Sequence, residues 1–344
     1  LKIRFVLCHL DVDLAVEQRQ LNLGDMLLSS GHDVAVYGVS SDPAPASAAA
    51  PKRHGAYATP VLLFPRDDPE ANLHATTSDA MLAALAEDAP DLILLKGVDY
   101  KQAERIAAQF PTARLGAIIG GVSSHPLLDR CGLIYFETEL QRAAYVGPAR
   151  TYLLPKMIPW RYVLPHGLEG VDFDIINVGN FDEDRKAQEL LLPFTLDLRV
   201  LFVGSGRRLK AFQTICAQRP NVSFTGYIEQ AELFALLSRS HLMVHTSIWE
   251  GYPRAVAESL AAGVPVVGLK GVLDGVPVDD ALTCVPVEDL YSTVRDWLAD
   301  PHRLATLGQS GQRQMRETSS DNAMMTLFRD TVISHVEEAR RLVG

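Results

Sequence analysis

Two glutamates, Glu250 and Glu258, are separated by seven residues, and Gly251, Tyr252 and Pro253 follow directly after the first. Apolar runs flank the pair, with Leu242, Met243 and Val244 before it and Val264, Val266 and Val267 after it. Short apolar runs of this kind suit parallel strands covered on both faces. The segment therefore reads as a buried strand, a loop opening into a short helix, and a second buried strand. Pro253 fits the first turn of that helix, where a missing N–H breaks no bond. A helix starting there points its free N–H groups over the strand ends, where open α/β sheets bind ligands. That is an anion site. An acid at each end of one loop–helix unit accepts hydrogen bonds from ligand hydroxyls, so the chemistry fits a phosphate held between two hydroxyl-bearing groups.

The elements that must position these residues alternate in type along the whole chain. In the first half, strand-like stretches at 3–7, 33–39, 61–64, 92–95, 115–119 and 133–136 interleave with helix-like ones at 14–29, 78–87 and 101–109. Such alternation predicts a parallel sheet with crossover helices. Residues 40–54 are rich in Pro, Ala and Ser without any period and read as an exposed loop. The pattern breaks where Pro155, Pro159, Pro165 and Gly167 crowd together, and a second series starts at Asp174. That series predicts strands at 174–178, 200–203 and 222–224, helices near 208–218 and at 230–238, the strand–helix–strand unit above, and helices at 287–299 and 303–317. Three parts result: an N-terminal domain over 1–160, a C-terminal domain over 171–318, and a final amphipathic segment within 319–344.

The 344 residues are long for one core and comfortable for two α/β domains. A formal charge of −10 argues against a general nucleic-acid or anionic-membrane binder, which needs basic surface to neutralise phosphates. Cys8, Cys131, Cys216 and Cys284 are widely spaced and form no CxxC or Cys/His cluster, so they read as free thiols, not a zinc site or disulfide scaffold. No apolar segment approaches the roughly 20 residues of a membrane-spanning helix, and the chain reads as cytoplasmic.

The Glu250 to Glu258 segment, with Ala261, Ala262, Gly263, Val264, Pro265, Val266 and Val267 after it, resembles the donor-site signature of retaining GT-B glycosyltransferases, in particular glycosyltransferase family 4. Three flanking runs strengthen the resemblance: Val203 to Gly206, Val222 to Gly226, and Glu232 to Leu237. It covers residues 175–316 well, and the first 150 residues mainly through the run Gly31 to Tyr37, the βα rhythm and the run Gly132 to Glu139. The resemblance implies two Rossmann-like parallel-sheet domains facing a central cleft, the nucleotide sugar on the C-terminal domain, the acceptor on the N-terminal one, and a last helix crossing back to the N-terminal domain. It implies transfer of a hexosyl-type group with retention, without a metal or other cofactor. Departure of a nucleoside diphosphate leaves negative charge behind, and such enzymes stabilise it with cations and helix N-termini.

Residue by residue, the resemblance gives Glu258 the ribose hydroxyls and Glu250 the donor sugar's hydroxyls. Gly251 and Tyr252 would offer backbone N–H groups beside Pro253. The family's Arg and Lys after the first strand of this domain fall on Asn180 and Arg185, with Lys186 one residue on, so Arg185 inherits the phosphate role and Asn180 is a departure. Arg254 either replaces the cation missing at Asn180 or faces solvent. Gly204 and Gly206 would let backbone approach the donor, and Tyr227 falls where the family contacts the base. In the N-terminal domain the usual Gly-Gly loop is replaced by Leu10 to Leu14, and a catalytic-side His would be His125 or, less favoured, His9. Lys96 and Asp99 reach the same end of the sheet by position. The acceptor is open, with a soluble one favoured over lipid because no basic amphipathic helix is evident. Two other readings share the fold: a non-catalytic or partner-dependent subunit, and another GT-B enzyme such as a nucleotide-sugar epimerase or a phosphorylase.

Overall fold

A computed structural model describes residues 1–7, 15–40, 57–120, 124–166, 170–273, 276 and 278–343. The chain forms two compact units, one of residues 1–155 with 324–344 and one of residues 156–323.

The first unit holds a seven-stranded sheet. Its elements are β1 (Lys2–Leu7), α1 (Ala15–Ser29), β2 (Asp33–Val39), β3 (Val61–Phe64), α2 (Asp79–Asp88), β4 (Leu92–Lys96), α3 (Lys101–Gln109), β5 (Leu115–Ile118), β6 (Leu133–Phe136), α4 (Glu139–Ala144) and β7 (Arg150–Leu153). The strands run in parallel in the order β3-β2-β1-β4-β5-β6-β7. Side chains of β5 and β6 are buried throughout, as a sheet covered on both faces requires. The edge strand β7 was not foreseen, because Arg-Thr-Tyr-Leu shows no apolar run and lies half exposed. The last helix of the chain packs on this unit: Phe328 meets Phe5 and Tyr135, and the Tyr135 hydroxyl is 2.7 Å from that of Thr331.

The second unit holds six strands: β8 (Phe173–Val178), β9 (Val200–Val203), β10 (Val222–Phe224), β11 (Ser240–His245), β12 (Val266–Leu269) and β13 (Leu282–Val285). Its helices are α5 (Leu209–Ile215), α6 (Gln230–Leu237), α7 (Arg254–Ala261), α8 (Leu290–Leu298) and α9 (Pro301–Ser319); α10 (Asp321–Val343) is the last helix of the chain. The order is β10-β9-β8-β11-β12-β13, again parallel. Alternate side chains fill opposite faces. Ile175, Val200, Phe202, Leu242, Val244 and Val267 form one core, and Ile176, Leu201, Val203, Met243 and Val266 another. The Pro-rich stretch after Pro155 packs with this unit through Ile158, Trp160 and Tyr162. β13 was also missed in the sequence, being a four-residue, half-buried edge with Thr283 and Cys284 in it.

Sheet order places the site. β9 lies on one side of β8 and β11 on the other, so the loops leaving β8 and β11 diverge to opposite sides of the sheet. That reversal is the crevice where doubly wound sheets bind ligands. Among the described residues no helix is long and apolar enough to cross a membrane. Cys131 and Cys216 are buried free thiols and Cys284 is half-buried, while Cys8 lies outside the described residues.

Candidate functional site

Glu250 sits in the loop after β11 and meets the cations of the loop after β8. Lys186 Nζ is 2.5 Å from Glu250 Oε1, and an Arg185 terminal nitrogen is 3.1 Å from Oε2. The two loops are tied by backbone as well, for Ile248 N–H donates to Arg185 O and the Thr246 hydroxyl to Lys186 O. Arg185 also donates to Trp249 O at 2.7 Å, pairs with Glu183, and lies 5.4 Å over the Trp249 ring. Behind Glu250 stands His245, the last residue of β11, only 2% exposed, with Nε2 3.4 Å from Glu250 Oε1. Burial opposes charge on Glu250, but His245, Lys186 and Ser247 beside it outweigh that and hold the carboxyl well below the usual range. Glu250 is a fixed anion.

Glu258 behaves in the opposite way. It lies in α7 with its side chain 5% exposed, and burial pushes its carboxyl above the usual range against the pull of Arg254 and Gln230. Gln230 Nε2 donates at 2.7 Å and Arg254 Nε at 2.8 Å, both to Oε1. Among the described residues no donor is bonded to Oε2, so that oxygen keeps its accepting capacity. Arg254, 29% exposed, pairs with Glu258 across one helical turn.

The helix between the two acids starts one residue later than the spacing predicts. Pro253, with φ −76° and ψ 87°, is the N-cap and Arg254 the first helical residue, because that ψ lies outside the helical basin. The N–H groups of the first turn, from Arg254 to Val256, are those a helix leaves without intrahelical partners. Gly251 remains a loop residue, whereas the Tyr252 ring is 3% exposed and packed in the core with Val256. Lys156 Nζ donates to Tyr252 O at 3.4 Å and its charge acts on Glu258, so it stands beside this turn. The sequence reading missed Lys156 because it lies 96 positions from Tyr252.

Asn180 donates to Glu183 at 2.8 Å and its carbonyl accepts from Gln188 at 2.7 Å, which makes it a fastening of the β8 loop. Gly204 and Gly206 have φ of +135° and +145°, open to glycine. A Cβ on Gly204 would lie 2.0 Å from Gly179 O, and one on Gly206 2.6 Å from Phe181 C. Both glycines therefore let the β9 loop lie against the β8 loop, which accounts for them without a ligand. Tyr227 is 74% exposed beyond Gly226, whose carbonyl accepts from Gly204 N–H.

In the first unit His125 caps the 3-10 turn Pro126–Arg130, its Nδ1 accepting from Leu127 N–H at 3.2 Å. Asp99 pairs with His74 at 3.2 Å, both largely exposed. Lys96 ends β4 with its Nζ near Gly120, where Glu137 also comes within reach. Glu137 is buried and takes a 2.6 Å bond from Arg19, a pair 118 positions apart that the sequence reading did not single out. His9 and the stretch from Leu10 to Leu14 lie outside the described residues.

Residues 172–300 match the family model described as glycosyl transferases group 1. None of the curated proteins compared matches the chain. Among solved structures, the fold is shared with sucrose-phosphate synthase from Thermosynechococcus elongatus at TM-score 0.76 and 17% identity, covering 96% of this chain and 99% of that one. Anabaena HepE in complex with UDP-glucose is similar at TM-score 0.71 and 15% identity, covering 97% and 99%. TarM of S. aureus, in complex with fondaparinux, α-GlcNAc-glycerol and UDP, follows at TM-score 0.67 and 9% identity, covering 98% and 100%. The chain thus carries a glycosyl transferases group 1 domain within a GT-B fold of two Rossmann-like units, the frame of a glycosyltransferase.

Proposed function

We propose that the chain is a retaining, metal-independent glycosyltransferase of the family 4 type, whose second unit binds the nucleotide-sugar donor. The observation that carries this reading is the pair of unlike carboxylates on either side of the α7 N-terminus, at the reversal of the sheet. Glu258, with one oxygen open, accepts the ribose hydroxyls. Arg185, Lys186 and the first turn of α7 take the diphosphate, and they hold the charge that develops as it leaves. Glu250 accepts the sugar's hydroxyls, which orients the anomeric carbon without any proton transfer by the protein. Retention follows if the acceptor enters on the face the phosphate leaves, with the departing oxygen taking its proton. His125, Lys96 and Asp99 are assigned by position to acceptor handling in the first unit.

HepE, which shares the fold, is complexed with UDP-glucose, so UDP-sugars are the first donors to test. The deciding experiment is ligand-observed NMR of UDP-, GDP-, ADP- and dTDP-sugars with EDTA present. Binding and slow hydrolysis of one donor are expected. No binding to folded protein refutes the donor site and turns the reading to a partner-dependent subunit, which the uncharged Asn180 favours. A requirement for inorganic phosphate would turn it to a phosphorylase.

A further inference from the structure

His245 is a poor choice for its place in the fold. It ends a buried strand beside Val244 and Met243, a setting that apolar side chains usually fill. Its Nδ1 and its Nε2 are both buried without a hydrogen-bond partner among the described residues, and a buried polar atom in that state costs about 1–3 kcal/mol. Its Nε2 faces Glu250 Oε1 at 3.4 Å, long for a bond. The same oxygen holds Lys186 at 2.5 Å.

Glu250 is crowded in this state. Lys186, Arg185, Ser247 and His245 all address one carboxylate, and a carboxylate offers about four lone-pair sites. Lys186, Arg185 and Ser247 leave about one site for a sugar hydroxyl, and His245 faces it. A diphosphate, with more charge than a carboxylate, would draw the two cations from Glu250 and open its oxygens. Yet the Glu250 side chain is 9% exposed, and a buried carboxylate stripped of every partner is strongly disfavoured. The neutral donors His245 and Ser247 stay behind. We propose that His245 is a positioning residue that takes over Glu250 when Lys186 and Arg185 turn to the diphosphate, holding it toward the sugar hydroxyls through Nε2–H. This rests on the donor site proposed above. In it the imidazole is the neutral Nε2–H tautomer, its Nδ1 bare.

Gln and Met match each other in shape, and only Gln has an N–H to donate. The test compares His245→Gln and His245→Met with the unchanged protein for binding UDP and UDP-glucose, or the pair of whichever nucleotide the donor panel selects, by calorimetry, and for donor hydrolysis. Affinity for the diphosphate should hold within about threefold in all three proteins. The sugar's added affinity and the hydrolysis rate should fall about tenfold in His245→Met, the factor of one hydrogen bond to a charged group, and recover in His245→Gln. A core-filling role would give the reverse order, with Met close to the unchanged protein and Gln the less stable. That result, or equal losses for both ligands, overturns the proposal. In the unchanged protein the imidazole ¹⁵N spectrum should show the Nε2–H tautomer and its resonance should move when UDP is added. An unmoved resonance in protein that binds UDP overturns it without any variant. Absence of all nucleotide binding by the unchanged protein would instead strike the donor site itself.

Discussion

Glu258→Gln separates the fold from the ribose contact. In the folded protein, burial already opposes the charge of Glu258, and its partner Arg254 is 29% exposed and can turn to water. Glutamine keeps the volume and an oxygen for Gln230, so stability should change by no more than about 1 kcal/mol. Binding should respond more. A hydrogen bond to a charged group is worth about 1.5–3 kcal/mol and a neutral one about 0.5–1.5, so each hydroxyl loses about 1–1.5 kcal/mol. Two ribose hydroxyls make about 2–3 kcal/mol, or roughly 30- to 150-fold in affinity. Calorimetry with UDP and 2′-deoxy-UDP reads the effect. The unchanged protein should favour the ribonucleotide by about tenfold, and Glu258→Gln by less than about threefold. A variant that melts like the unchanged protein yet keeps the full preference would refute the assignment of the open oxygen.

Arg185→Ala should slow donor hydrolysis by about a hundredfold while nucleoside affinity falls much less, as expected for a group that meets charge developing on the leaving phosphate. An unaffected rate in single-turnover kinetics would move that role to Lys186 or Lys156. The depressed carboxyl of Glu250 adds stability that is present above the unfolded value of about 4.3 and is lost as pH falls through its lower folded value. Thermal melts of Glu250→Gln should therefore fall below those of the unchanged protein at pH 7, with the gap closing as the pH drops below 4.3; a gap constant down to pH 2 would contradict the ion pairs. Gly204→Ala places a methyl group 2.0 Å from Gly179 O in a backbone region costly to alanine, and should destabilise the second unit by about 3 kcal/mol or more. Denaturant titration measures it, and a near-neutral result would mean that the two loops are not packed as described.

The layout of the second unit's carboxylates was legible where it was local. Glu250 and Glu258 stand on one loop–helix unit between two apolar strands, and that neighbourhood is written in consecutive residues. Even there the helix start slipped by one, since proline at the N-cap and proline at the first helical position carry the same letter and differ only in ψ. What was not legible is which partner each acid keeps. Lys186 reaches Glu250 across 64 positions and Gln230 reaches Glu258 across 28, through strand neighbours fixed by sheet order and not by adjacency. Gly204 and Gly206 show the same limit. As letters they fit close approach to a ligand, and in the structure the atoms they approach belong to the chain's own β8 loop. The difference matters for function. Two glutamates on one loop–helix unit come out as unlike groups, one held charged by the cations of the β8 loop, the other left with an open oxygen by Gln230 and Arg254. Because β11 lies beside β8, the β8 cations reach Glu250, while Glu258, further along α7, takes its partners from α6 and its own helix. The division of labour proposed between sugar and ribose thus rests on strand order, which gives the two acids different partners.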